Sequence, residues 1–253
     1  MFAARTLARR ALLVAATTAR RPSAVAKALR LTPSVSTRSY ATAVDDSAAI
    51  PNKTNTPSAE DVAAAHARLQ EGNDALTAGN PQLALAKYGE SIKLQPTTEA
   101  LYNAGNVYFQ LGRADDAIQC WTDSLQFEEQ PDTLVNLANV TFMVKRDSDA
   151  ALALYDRAVA AARASTAPDA ADLVAEIHYN LGCVADAAGS MLANDDPADA
   201  RIKGYWERAR DALEMAEQGG IEQAVAPLKN VNAKLVGYNA RVLAASSSST
   251  SSQ

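Results

Sequence analysis

Apolar and small residues recur along this chain at two scales. Within short stretches they keep the spacing of one helix face. Over longer distances whole phrases return. Gly72-Asn73 is followed 33 residues later by Gly105-Asn106, and Ala138-Asn139 comes 33 further on. A second phrase keeps step: Ala84…Tyr88…Ser91, Ala117…Trp121…Ser124, then Ala151…Tyr155…Ala158. A period of this length, helical in both halves, predicts helix pairs repeated in series. Such a fold usually works by holding another molecule in a groove.

The units start near Ala65, Thr98 and Pro131. Gly72, Gly105 and Ala138 are small enough for the second helix of each pair to approach closely. Ala84, Ala117 and Ala151 serve the same crossing from the other side, and Tyr88, Trp121 and Tyr155 fill the space between units. One extra residue in the third turn shifts the helix that follows it. A degenerate fourth unit starts near Ala175 with Leu181-Gly182. Its second helix, around Ile202, Trp206 and Ala209, comes late, after an expected insertion through Asn194-Asp195-Asp196-Pro197. Asn80-Pro81 and Asp196-Pro197 read as helix cap plus first-turn proline. Ile221–Leu243 reads as a closing helix with Pro227 near its start. Together with Ser58–Ala64 it is placed to cover the ends of the array.

These matched positions resemble tetratricopeptide repeats, with Ser91 standing where the family has Ala. The resemblance implies an all-α, tetratricopeptide-type helical-hairpin solenoid: three good repeats, one degenerate, and a C-terminal capping helix. It covers about 120 residues well and 45 more loosely. It also implies that the first helices line a concave surface. One row there reads Gln70, Asn103, Asn136, Asn180, and the next reads Asn73, Asn106, Asn139, Cys183. Carboxamides both donate and accept, so this ladder can meet an extended peptide backbone. Tying neighbouring helices together is the competing use for the same side chains. Tyr102 and Phe109 are candidate anchors for apolar groups. Glu99, Asp132 and Glu176 would favour basic ones. Members that grip a chaperone's C-terminal carboxylate need basic groups where this chain has Leu69, Asp132 and Asn136. A carboxylate facing Asp132 is repelled, so the resemblance implies no such clamp.

Charge divides the chain. Eight basic residues and no acidic one precede Asp45. That composition, rich in Ala, Ser and Thr, is expected of a mitochondrial transit peptide over residues 1–40. Arg38-Ser39-Tyr40-Ala41 resembles a matrix processing site, with cleavage expected after Tyr40. Without that segment 16 basic residues face 29 acidic ones, which argues against nucleic acid as the partner. No apolar run approaches the roughly 20 residues of a spanning helix. Residues 41–57 read as a flexible linker, 58–245 as the helical array and 246–253 as a disordered Ser/Thr tail.

Little in the chain points to chemistry. Cys120, Cys183, His66 and His178 lack metal-ligand spacing. Asp115-Asp116 and Asp195-Asp196 fall in expected turns. No nucleophile stands beside a base and an orienting group. The expectation is therefore a non-enzymatic protein without cofactor or metal. It would be a mitochondrial, matrix-located adaptor or assembly factor holding an apolar, basic peptide segment. The alternative is a permanent structural subunit of a larger mitochondrial complex.

Overall fold

The computed structural model describes residues 57–250. The expected transit segment, nearly all of the expected linker and residues 251–253 lie outside the described residues. The described residues form helices and turns, with no strand among them. They belong to two compact units that divide between Val140 and Thr141.

The N-terminal unit holds α1 (Ala59–Thr77), α2 (Pro81–Leu94), α3 (Thr98–Gln110), α4 (Ala114–Ser124) and α5 (Pro131–Val140). Helix α1 starts well before the first repeat. Ser58 and Asp61 form a reciprocal cap there: each backbone N–H donates to the other's side chain at 3.1 Å, which satisfies two otherwise orphaned donors. Asn80 caps α2 by accepting from the Leu83 N–H, with Pro81 behind it, as expected. Both hairpin turns close alike. The Asn80 N–H reaches the Ala75 carbonyl and the Arg113 N–H reaches the Tyr108 carbonyl, each at 2.9 Å. Left-handed glycines, Gly79 and Gly112, sit between them, as this helix stop requires.

Tyr88 and Trp121 fill the centres of the two hairpins, at 0 and 1% exposure. Glycine is required beneath them: a Cβ added to Gly105 would sit 2.5 Å from Trp121 Nε1. Ser91 and Ser124 have a specific use. Each hydroxyl donates to the carbonyl 26 residues earlier, at Ala65 (2.8 Å) and Thr98 (3.0 Å). The end of each second helix is thereby latched to its own first helix, at the point where the repeat begins.

The C-terminal unit holds a π-turn (Thr141–Lys145), α6 (Ser148–Ala164), α7 (Ala170–Asp195), α8 (Arg201–Gln218), a 3-10 turn (Glu222–Ala224) and α9 (Val225–Thr250). The π-turn absorbs the extra residue of the third repeat. Here the Asp147 N–H points back to Thr141, one residue further than in the other turns, at 3.4 Å. Arg146 takes the left-handed place held elsewhere by glycine, with φ +57°. So the insertion is taken up at the helix end as a widened turn.

The fourth repeat departs from expectation. Asn194 and Asp195 belong to α7, not to an inserted loop, and the turn to α8 is short. Asp196-Pro197 does not start the second helix. The helix starts at Arg201 after Ala200, and the Asp199 carboxylate just before them accepts from the Arg201 N–H at 2.8 Å and pairs with the Arg201 guanidinium. The hairpin is lengthened on both sides and keeps one antiparallel seam. Gly189 faces Trp206, Gly182 faces Leu213, and Ala175 faces Gly219. Small residues seven apart on α7 keep the helices close along the whole seam. Helix α9 continues through Thr250, into the Ser/Thr run expected to lack structure. Lengthening an existing helix needs no new nucleus, so serines can follow.

Candidate protein-binding surface

The first helices of the N-terminal unit carry the expected amide ladder, but its amides already hold one another. Asn73 Oδ1 accepts from Tyr88 Oη at 2.8 Å and from Asn103 Nδ2 at 3.1 Å. Asn106 Oδ1 accepts from Asn136 Nδ2 at 3.0 Å. An amide oxygen has two lone pairs, so that of Asn73 is fully used. Asn139 is half-buried and engaged as well. Of the two uses open to these side chains, tying neighbouring helices together is the one seen here. Each bond ties one first helix to the next, or to its own second helix, across a half-buried surface where a stray polar atom would be costly. Asn103 and Asn136 each commit one of two N–H groups in these bonds, so part of their capacity remains.

Around the ladder, Glu99 is exposed, while Tyr102 and Asp132 are half-buried and engaged within the chain. Phe109 is half-buried with its ring centroid 5.8 Å from that of Trp121. It belongs to the hairpin core as much as to the surface. Three cations of this unit are drawn into pairs. Arg68 and Lys87 both bridge Glu71 and Glu90, at 2.7 to 3.3 Å. Lys87 and Arg68 together hold the Glu71 carboxyl below its ordinary range. Arg113 binds Asp116 at 2.6 Å and lies 4.5 Å from the centre of the Tyr108 ring. Glu99 is the exposed carboxylate of the first-helix row.

In the C-terminal unit Glu176 and Asn180 lie half-buried on α7, with Glu176 engaged. A basic residue that sequence reasoning missed reaches the same helix. Lys234 of α9 bonds Asp186 at 2.6 and 2.8 Å. Its only sequence signal was the helical register of the closing helix. Near the start of α7, a cleft of about 520 Å³ is lined by Val174, Ala175, His178, Met215 and Gly219, among others. Both ring nitrogens of His178 are buried without a partner. Burial, then the charge of Arg163, pushes this imidazole below its ordinary pKa, against Asp156. The neutral ring is a wall of the cleft. The thiols are poorly nucleophilic, because burial pushes Cys120 up to about 12 and Cys183 to about 11. Among the described residues, no group of His, Cys, Asp or Glu could hold a metal ion. No helix there is long and apolar enough to cross a membrane.

Latched hairpins of this geometry define a helical-repeat scaffold. Residues 98–131, which span α3 and α4 up to the start of α5, match the tetratricopeptide repeat family profile. That segment, one hairpin of the N-terminal unit, carries a tetratricopeptide repeat. No curated protein matches the chain in sequence. Among solved structures it is similar to one described as "Crystal structure of MamA protein". Identity there is 20%, with 66% of this chain and 90% of that chain covered and a TM-score of 0.45. A second, "Crystal structure of MamA", is 22% identical, with 67% and 96% covered and a TM-score of 0.42.

Proposed function

We propose that this protein is a non-catalytic mitochondrial adaptor that holds an apolar, basic segment of a partner protein against its first helices. The carrying observation is electrostatic. The exposed Glu99 and half-buried Asp132 face a row whose neighbouring cations, Arg68, Lys87 and Arg113, are already paired with carboxylates. A basic segment meets the exposed Glu99 carboxylate there, and Tyr102 and Phe109 offer half-buried aromatic surface beside it. The amide ladder mainly fixes the spacing of the helices, and the uncommitted N–H groups of Asn103 and Asn136 add polar contacts. Ordering a free segment costs entropy, so the binding is modest. The basic, acid-free stretch before Asp45 supports delivery to the matrix with cleavage near Tyr40.

The test uses two labelled peptides of equal hydrophobicity, one basic and one acidic. Full chain should bind the basic peptide, at least fivefold more weakly after Glu99→Lys, and more weakly as salt rises. Preference for the acidic peptide, or indifference to Glu99→Lys, would sink the reading. Import into isolated mitochondria, with and without residues 1–40, checks the location.

A further inference from the structure

The cleft near the start of α7, about 520 Å³, has the size of a small-molecule site. It lies wholly within the C-terminal unit, between the end of α6, the first turns of α7 and the end of α8. Its walls are mostly apolar, and Met215, a large apolar side chain, is left 42% exposed there. The polar side chains that line it are few: Arg163, His178 and Gln218. No acidic residue lines it, although the whole chain carries 29 acidic against 24 basic residues.

Two of these polar groups are unmatched. Arg163 is exposed and forms no ion pair among the described residues. Arg68, Lys87, Arg113 and Arg208, by contrast, are all paired with carboxylates. Both ring nitrogens of His178 are buried with no hydrogen-bond partner among the described residues. A buried polar group left unmatched is costly, so the ring stands ready for a ligand oxygen. Asp169 makes no side-chain cap on α7. Ala170 and Ala171 bring that uncapped first turn into the wall of the cleft, where an anion is favoured.

We propose that this cleft binds a small carboxylic acid with an apolar body of roughly ten carbons. The body lies against Val174 and Met215. The carboxylate pairs with the exposed Arg163 guanidinium, whose planar fork suits two oxygens at once. His178 offers its unmatched polar edge to a ligand oxygen. This site belongs to the C-terminal unit and depends on neither Glu99 nor the amide ladder.

Phenylbutanoate and phenylbutylammonium, matched in apolar body and opposite in charge, are titrated into the full chain by calorimetry. Phenylbutanoate should bind saturably, and phenylbutylammonium at least tenfold more weakly. Arg163→Glu should weaken phenylbutanoate at least tenfold. Ala171→Trp, at an exposed position in the wall, fills the cleft and should abolish binding. Both variants should keep the helical circular dichroism of the wild type, and Arg163→Ala replaces Arg163→Glu should the latter lose it. The chain has two histidines, His66 and His178, so ring-proton NMR of the unaltered chain locates the ligand. Saturating phenylbutanoate should shift the His178 signals and leave those of His66 in place. No saturable binding, equal affinity for the ammonium compound, binding unchanged in either folded variant, or unmoved His178 signals overturns the proposal.

Discussion

At the residue scale, two backbone positions decide how tightly the hairpins close. Gly105 is not a flexible joint. It is a helical position where any side chain would enter the Trp121 ring, and that ring is 1% exposed with nowhere to go. Gly105→Ala should cost about 1–3 kcal/mol through overpacking, read as a lower urea midpoint at unchanged slope. Arg146 is the opposite case. It holds φ +57° where the equivalent turns use Gly79 and Gly112. A left-handed residue with a Cβ costs roughly 1–2 kcal/mol, partly offset by the extra backbone freedom glycine loses on folding. Arg146→Gly should therefore stabilise the protein by about 1 kcal/mol in the same assay. The sequence showed that the third turn has an extra residue. It did not show that a π-turn absorbs it, because hydrogen-bond register depends on backbone geometry.

At the element scale, Asn73 is a junction. It belongs to α1 and accepts from Tyr88 on α2 and Asn103 on α3, so one amide oxygen sets the spacing of three helices. Asn73→Leu leaves the phenol of the buried Tyr88 and an amide N–H without their acceptor, and about 1–3 kcal/mol should be lost. A cycle with Tyr88→Phe should give a coupling energy above 0.5 kcal/mol in size. Gln70→Ala, which removes only the exposed bond to Asp74, should change stability by less than about 0.5 kcal/mol. A result in which Gln70 and Asn73 matter equally would remove the junction. The serine latches follow the same logic. Ser91 looked like a substitute for alanine, yet its hydroxyl closes a hairpin across 26 residues. The fourth hairpin teaches the converse. Its acidic Asn194-Asp195-Asp196-Pro197 stretch looks like a loop by composition. The heptad of Ala175, Gly182 and Gly189 extends the helix–helix seam, and α7 runs on through Asp195.

At the scale of the whole molecule, stability should depend on pH through His178. Its folded-state pKa lies below the ordinary 6.5, chiefly because burial disfavours the charged ring. The unfolded chain therefore takes up a proton below about pH 6.5 that the folded chain refuses, and stability falls as pH drops through that window. Asp123 acts in the opposite sense nearer the carboxylate range, since burial raises its pKa against the Gln119 bond. The clean reading is comparative: His178→Leu should flatten the loss of stability between pH 7.5 and pH 5, measured by urea unfolding. Equal slopes for the two chains would mean that the ring is solvated. By itself the sequence determined the helical hairpins, their 33-residue period, their small-against-aromatic crossings and the shortage of positive charge on the first-helix row. All of these rest on local spacing and composition, which the linear order of residues carries directly. Only the tertiary structure decided that the amides bind one another, that Lys234 reaches Asp186, and that the fourth hairpin keeps one long seam. Those outcomes depend on which side chains arrive within about 3 Å of each other, and distance across helices is fixed by packing.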